Sequence, residues 1–239
     1  MPNTTVGTTL QSCSLQGVTM TKKFLTATAL ACALIAPTAA SAAKIEFKPC
    51  NTSVKGCYAI MIDGDILEGD GEKFVKEATE KNVTTGIVNL NSYGGHLQSG
   101  LMIGLEIKER KLQTFVGDEW TCVSVCADMW LAGSIRYYGG AKTRIGFHGA
   151  YWLAVDKNGK PAKGAKPQVT SSGNAVMGAY LGGLGLSYDA IATLTKAGPD
   201  KAFWLTVDSA QKLGIEVKKW QEPPKVTPGV QAPINANRA

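Results

Sequence analysis

Histidine is the scarcest chemistry-bearing side chain in this 239-residue chain: there are two, His96 and His148. With cysteines spaced Cys-x3-Cys and so few imidazoles, a zinc centre has weak support, and no metal is expected. Charged residues make up only 18% against 44% hydrophobic ones, which excludes a disordered chain. The net charge of +6 is mild, with Lys and Glu mixed along the sequence. No dense basic stripe with interleaved aromatics exists, so nucleic acid is not an implied partner. The 27 glycines follow no fixed period, which removes fibrous repeats. Beyond residue 42 no apolar run approaches the length of a membrane span, so no stable insertion is expected there.

What is present begins with the N-terminus. From Met20 the chain reads Met-Thr-Lys-Lys, then an apolar stretch from Phe24 to Ala36, then Pro37 and Ala40-Ser41-Ala42. A positive segment, a short hydrophobic segment and a small-x-small site compose a secretory signal peptide. Residues 20–42 are therefore expected to be cleaved after Ala42, with residues 1–19 an extension ahead of the true start at Met20. Ala29-Leu30-Ala31 is a poor lipobox before Cys32. The signal points to the periplasm, where ATP is not available.

Four cysteines come after the signal: Cys50, Cys57, Cys122 and Cys126. An even count in an oxidising compartment favours disulfides, with three connectivities open. The turn-rich loop between Cys50 and Cys57, and the short reach from Cys122 to Cys126, favour pairing each with its neighbour.

Strands are expected at 44–47, 58–62, 86–91, 111–116, 136–140, 143–147 and 202–205. Helices are expected at 70–81, 97–110, 173–184, 187–196 and 208–213, and a turn entering a helix over 121–135. A Lys/Gly/Pro-rich loop covers 156–167, and the Pro-rich tail 222–239 is expected to be disordered. Strand–helix alternation argues for an α/β domain over 43–221, with a mostly parallel sheet and flanking helices. Such folds place ligands where strands run into helices.

Three motifs are informative, and two of them sit at such junctions. Leu90-Asn91-Ser92-Tyr93-Gly94-Gly95 joins a strand to a helix, and its glycines free backbone N–H groups for a ligand. Taken alone it reads better as a plain structural turn, and the third glycine of a dinucleotide fingerprint is missing. Cys122-Val123-Ser124-Val125-Cys126 puts a serine at a helix head, as a nucleophile or as an ordinary N-cap. Ile145-Gly146-Phe147-His148-Gly149 ends an apolar strand in an imidazole suited to accept a proton, or to sit hydrogen-bonded in the core. His96, beside the glycine pair, is the alternative base.

Together these segments, over roughly residues 58–217, resemble the ClpP/crotonase superfamily, and within it exported ClpP-like serine peptidases. The family's Asn-Ser-Pro-Gly-Gly strand end is similar to Asn91-Ser92-Tyr93-Gly94-Gly95, with Tyr93 in place of proline. Its nucleophilic serine heads a helix about thirty residues on, as Ser124 does, and its histidine ends a strand, as His148 does. The segments Trp204-Leu205-Thr206 and Ser209–Gly214 resemble the stretch just after the family's acid.

The resemblance implies a ClpP/crotonase-like ββα spiral core and a serine peptidase independent of ATP. Ser124 would be the nucleophile, His148 the base and Asp200 the orienting acid, with Asp189 and Asp208 as alternatives. Main-chain N–H groups of Gly95 and Val125, on a turn shaped by Gly94, would hold the oxyanion. It implies a peptide or protein substrate, no cofactor and a homo-oligomer. The rival reading is a non-catalytic oligomeric binding protein on the same scaffold. Acyl-CoA chemistry is remote, given export away from CoA.

Overall fold

Two antiparallel strands, β1 (Lys44–Pro49) and β2 (Cys57–Asp63), open the described part of the chain. In this computed structural model it comprises residues 43–156 and 162–221. The expectations for residues 1–19, the signal at 20–42 and the tail at 222–239 lie outside the described residues, as does the middle of the 156–167 loop. The Cys50–Cys57 disulfide closes the β1–β2 turn, with a Cα separation of 5.4 Å.

From β2 the chain alternates. Helix α1 (Asp70–Glu80) leads to β3 (Thr85–Asn91), α2 (Leu97–Glu109) and β4 (Gln113–Val116). Each crossover returns the next strand parallel to the last, β2 with β3 and β3 with β4. The parallel strands β6 (Arg136–Tyr138) and β11 (Lys218–Lys219) complete a six-stranded sheet in the order β1-β2-β3-β4-β6-β11. Strand alternation sends Ile60 and Ile62 of β2 and Val88 and Leu90 of β3 into the core, where Phe74 and Ala78 of α1 and Ile103 and Ile107 of α2 meet them. The expected α/β class, with a mostly parallel sheet and flanking helices, is the one the chain forms.

A second sheet stands beside the first. Strand β5 (Thr121–Val123) runs parallel to β7 (Arg144–Phe147), which pairs antiparallel with β10 (Phe203–Leu205). Residues 121–123 were expected as a turn entering a helix. They form a strand because β7 offers them a parallel edge, with Cys122 opposite Ile145. The helix after it, α3 (Val125–Leu131), is one short element buried along its whole length. Its last carbonyls are held by side chains from elsewhere: Thr114 Oγ1 donates to Trp130 O (2.7 Å) and Arg136 Nε to Leu131 O (2.8 Å).

The remaining elements are a two-strand ribbon, β8 (Tyr151–Trp152) with β9 (Gln168–Val169), and helices α4 (Ser171–Gly183), α5 (Tyr188–Thr195) and α6 (Val207–Lys212). The ribbon and β11 escape a reading by periodicity because each strand has only two residues. Among the described residues no helix is long and apolar enough to cross a membrane.

Candidate active site

Ser124 sits at the joint between β5 and α3 in a backbone conformation that side-chain-bearing residues seldom adopt, φ 61° and ψ −135°. The joint is pinned on both sides. Ser124 N–H donates to Gly146 O on β7 (2.9 Å), and the Cys122–Cys126 disulfide spans the corner with a Cα separation of 5.2 Å. Ser124 occupies the N-cap position of α3, yet its side chain makes no capping hydrogen bond. The ordinary reason for a serine at a helix head therefore does not apply, and the half-buried Oγ is free for other work.

The Asn91–Gly95 turn is laid against this corner by its own polar residues. Ser92 N–H donates to Thr121 O (2.8 Å) and Val123 N–H returns a bond to Ser92 O (3.0 Å), so the end of β3 is stitched to β5. Asn91 accepts from Thr121 N–H (3.2 Å) and donates to Asp63 (2.8 Å). The buried Ser92 Oγ accepts from Gly94 N–H at 3.0 Å, which folds the turn back on itself.

Gly94, at φ 96°, then passes so close that a Cβ there would lie 2.7 Å from Ser124 Cβ. Gly95, at φ 135°, lies against Ile66, whose carbonyl oxygen would be 2.1 Å from a Cβ. Since Gly94 N–H is bonded to Ser92, its part is to let the turn approach. The amides of Gly95 and Val125 donate to nothing among the described residues.

His148 comes directly after β7, as Ser124 comes directly after β5, so the parallel pairing carries both side chains to one end of the second sheet. Its Nδ1 lies 2.8 Å from Gly149 O. A carbonyl only accepts, so Nδ1 carries the proton in this contact and Nε2 is left with a lone pair. The ring lies beside Tyr151, with centroids 5.3 Å apart. The alternative base is differently employed: His96 caps α2, its Nδ1 facing Ser99 N (3.3 Å) and Ser99 Oγ (3.0 Å).

Ser124, Gly95 and His148 line one cavity of about 720 Å³, between the start of α2, α3, α4 and the β8 ribbon. Ser124 and His148 share its wall with no hydrogen bond between their side chains. His148 and Asp200 line a second hollow of about 630 Å³ together with Tyr93 and Trp204. Asp200 is exposed on the turn before β10 and makes no hydrogen bond to His148; the Nδ1 partner is the Gly149 carbonyl. Asp189 and Asp208 are exposed in the first turns of α5 and α6 and line neither hollow.

One further residue of the cavity escaped the reading of the sequence. Asp128, one turn beyond Ser124, is 3% exposed, and burial pushes its carboxyl up to about 7. The signal was visible: it is the lone charged residue in the otherwise apolar run Val125–Leu131. The positioning roles of Asn91 and Ser92 had no comparable sign, since their partners lie about thirty residues away.

No protein-family model matches the sequence, and no curated protein does. Solved structures are similar in shape at low identity. A membrane-bound stomatin-specific protease (1510-N), as a serine-to-alanine mutant, gives a TM-score of 0.49 at 16% identity, covering 67% of this chain and 76% of that one. A lysine-to-alanine mutant of that protease with a substrate peptide also gives 0.49, at 19% identity over 67% and 72%. An enoyl-CoA hydratase from Mycobacterium ulcerans gives 0.46 at 13% identity over 74% and 77%. These likenesses are too distant to carry an argument about activity, which rests on the site itself.

Proposed function

We propose that this protein is an exported serine hydrolase of the ClpP/crotonase type, acting as a peptidase without ATP. The observation that carries the reading is the state of Ser124: held at φ 61°, unused as a cap, packed on Gly94 and sharing a cavity with His148. In this mechanism Ser124 Oγ attacks the substrate carbonyl while His148 Nε2 takes its proton, then returns it to the leaving group. The unpaired amides of Gly95 and Val125 receive the oxyanion, a contribution of roughly 3–4 kcal/mol per donor in hydrolases. The Gly149 carbonyl orients the imidazole, and Asp200 lines the neighbouring hollow with it. Rotation of Ser124 or His148 closes the hydrogen bond between them when substrate enters, as catalytic bonds often tighten only in the complex. Export is supported by the Lys22-Lys23 leader pattern and by two disulfides, which persist in oxidising compartments.

The test is a fluorophosphonate probe on folded, oxidised protein. Labelling of wild type that disappears in Ser124→Ala is the expected result; a folded wild type that stays unlabelled refutes the hydrolase. The missing Ser124–His148 hydrogen bond favours a second reading, a non-catalytic oligomeric binding protein on this scaffold. Under it, Ser124→Ala and His148→Ala change no property of the protein.

A further inference from the structure

The cavity beside Ser124 has a charge opposite to that of the chain. In a protein with a net charge of +6, the described residues lining it include Asp65, Glu68 and Asp128 and no lysine or arginine. The three acids are not equivalent. Glu68 is exposed and Asp65 half-buried, near the mouth, whereas Asp128 is 97% buried on α3. Among the described residues its carboxylate takes part in no ion pair and accepts no hydrogen bond. The nearby Tyr180 hydroxyl donates instead to the Asp128 main-chain carbonyl, at 3.0 Å.

A carboxylate at this depth is costly, a core position here would ordinarily be apolar, and its unpaired oxygens are those open to the cavity. Its lining includes the apolar Ile66, Leu97, Ala150 and Met177 beside the polar His96, Gln98 and Thr170, and carries the exposed rings of Tyr151 and Trp152. Apolar walls shared with a deeply buried acid match a side chain that is aliphatic along its stem and cationic at its tip.

We infer that Asp128 makes this cavity a specificity pocket for a basic side chain, lysine or arginine, of a peptide bound across Ser124. The inference deepens the peptidase reading and rests on it for the word substrate; the binding preference itself needs no turnover. The aliphatic stem is buried against the walls, the ammonium or guanidinium reaches the carboxylate, and the peptide carbonyl is left at the mouth beside Ser124.

Entry of the cation also resolves the titration of Asp128. The titratable groups that share its cavity are His96, His148, Asp65, Glu68, Tyr93 and Tyr151, and Tyr180 from α4 bonds its main-chain carbonyl. Tyr180 is itself raised well above the usual phenol range by burial. None of these is a fixed cation, so a bound lysine supplies the missing positive charge, favours the ionised carboxyl and expels its proton. Affinity for a basic peptide should therefore rise with pH through about 7.

The experiment uses Ser124→Ala in the folded, oxidised full chain, so that nothing is cleaved. Calorimetry compares acetyl-Ala-Ala-Lys-amide with the norleucine peptide, which keeps the stem and lacks the charge. At least tenfold tighter binding of the lysine peptide is expected at pH 8, shrinking below pH 6 and vanishing in the Asp128→Asn variant. Equal affinities, no measurable lysine-peptide binding at millimolar concentration, or a preference that survives Asp128→Asn each overturn the inference. The pH series on the Ser124→Ala protein needs no change at Asp128, so it stands even where Asp128→Asn misfolds. Fluorophosphonate labelling of wild type reports separately: its failure removes the hydrolase and leaves the pocket, whereas labelling without a lysine preference removes the pocket alone.

Discussion

Gly94→Ala is the sharpest perturbation of the proposed site, because its effect comes from two distances and one angle. The new Cβ would lie 2.7 Å from Ser124 Cβ and 2.8 Å from Val123 O. Carbon atoms rest at about 3.5–4.0 Å, so either the turn or the serine must retreat by about 1 Å. Alanine at φ 96° adds a strain of about 1–3 kcal/mol. The turn also cannot slide freely, since Ser92 holds it to Thr121 and Val123. A displacement of about 1 Å at a nucleophile costs on the order of 100-fold in rate. The expected outcome is therefore a second-order rate of fluorophosphonate labelling about 100-fold below wild type, with unfolding free energy lower by about 1–3 kcal/mol in urea. Gly178→Ala serves as the control. It lies in α4 with open space where the Cβ goes, and should leave labelling intact while raising stability by about 0.5–1 kcal/mol. Gly94→Ala protein that is as stable and labels as fast as wild type would refute the placement of the turn against the serine.

Two other consequences concern groups around the same corner. Burial raises the Asp128 carboxyl from 3.8 to about 7, so between those values the folded chain holds a proton that the unfolded chain has lost. Stability then falls as pH rises from about 4 to 7 and is flat above, a loss of about 4 kcal/mol; Asp128→Asn should remove that slope in urea titrations across this range. A slope unchanged in the variant would assign the effect to other groups. The two disulfides should separate by function. Replacing both Cys122 and Cys126 with alanine frees the corner that holds Ser124 and should cut labelling at least tenfold. The same change at Cys50 and Cys57, at the β1–β2 turn, should leave the labelling rate within twofold while lowering the midpoint of thermal unfolding.

Local pattern carried much of the architecture. The β-branched run at 86–91 and the apolar spacing of Phe74 and Ala78 announced β3 and α1 within a residue or two, since a buried parallel strand and an amphipathic helix each have a period of their own. Neighbour pairing of the cysteines, favoured among three connectivities for its short reach, is the pairing the chain forms. Where Ser124 and the glycine turn lie was also legible, as strand–helix junctions, and His148 as the end of an apolar strand.

What composition and spacing left open was which of those groups meet. Residues 121–123 became a strand because β7, more than twenty residues later, supplied an edge, and that pairing set Ser124 beside His148. His96 was given a capping role by a neighbouring Ser99 amide, and the imidazole of His148 took its hydrogen bond from the Gly149 carbonyl rather than from an acid. Asp128 was one letter in an apolar helix until α4 and the β8 ribbon closed a cavity over it. Helices and strands are short-range periodicities that a linear text can display. Burial, register and the direction of a lone pair are properties of the closed chain, and the chemistry proposed for this site depends on all three.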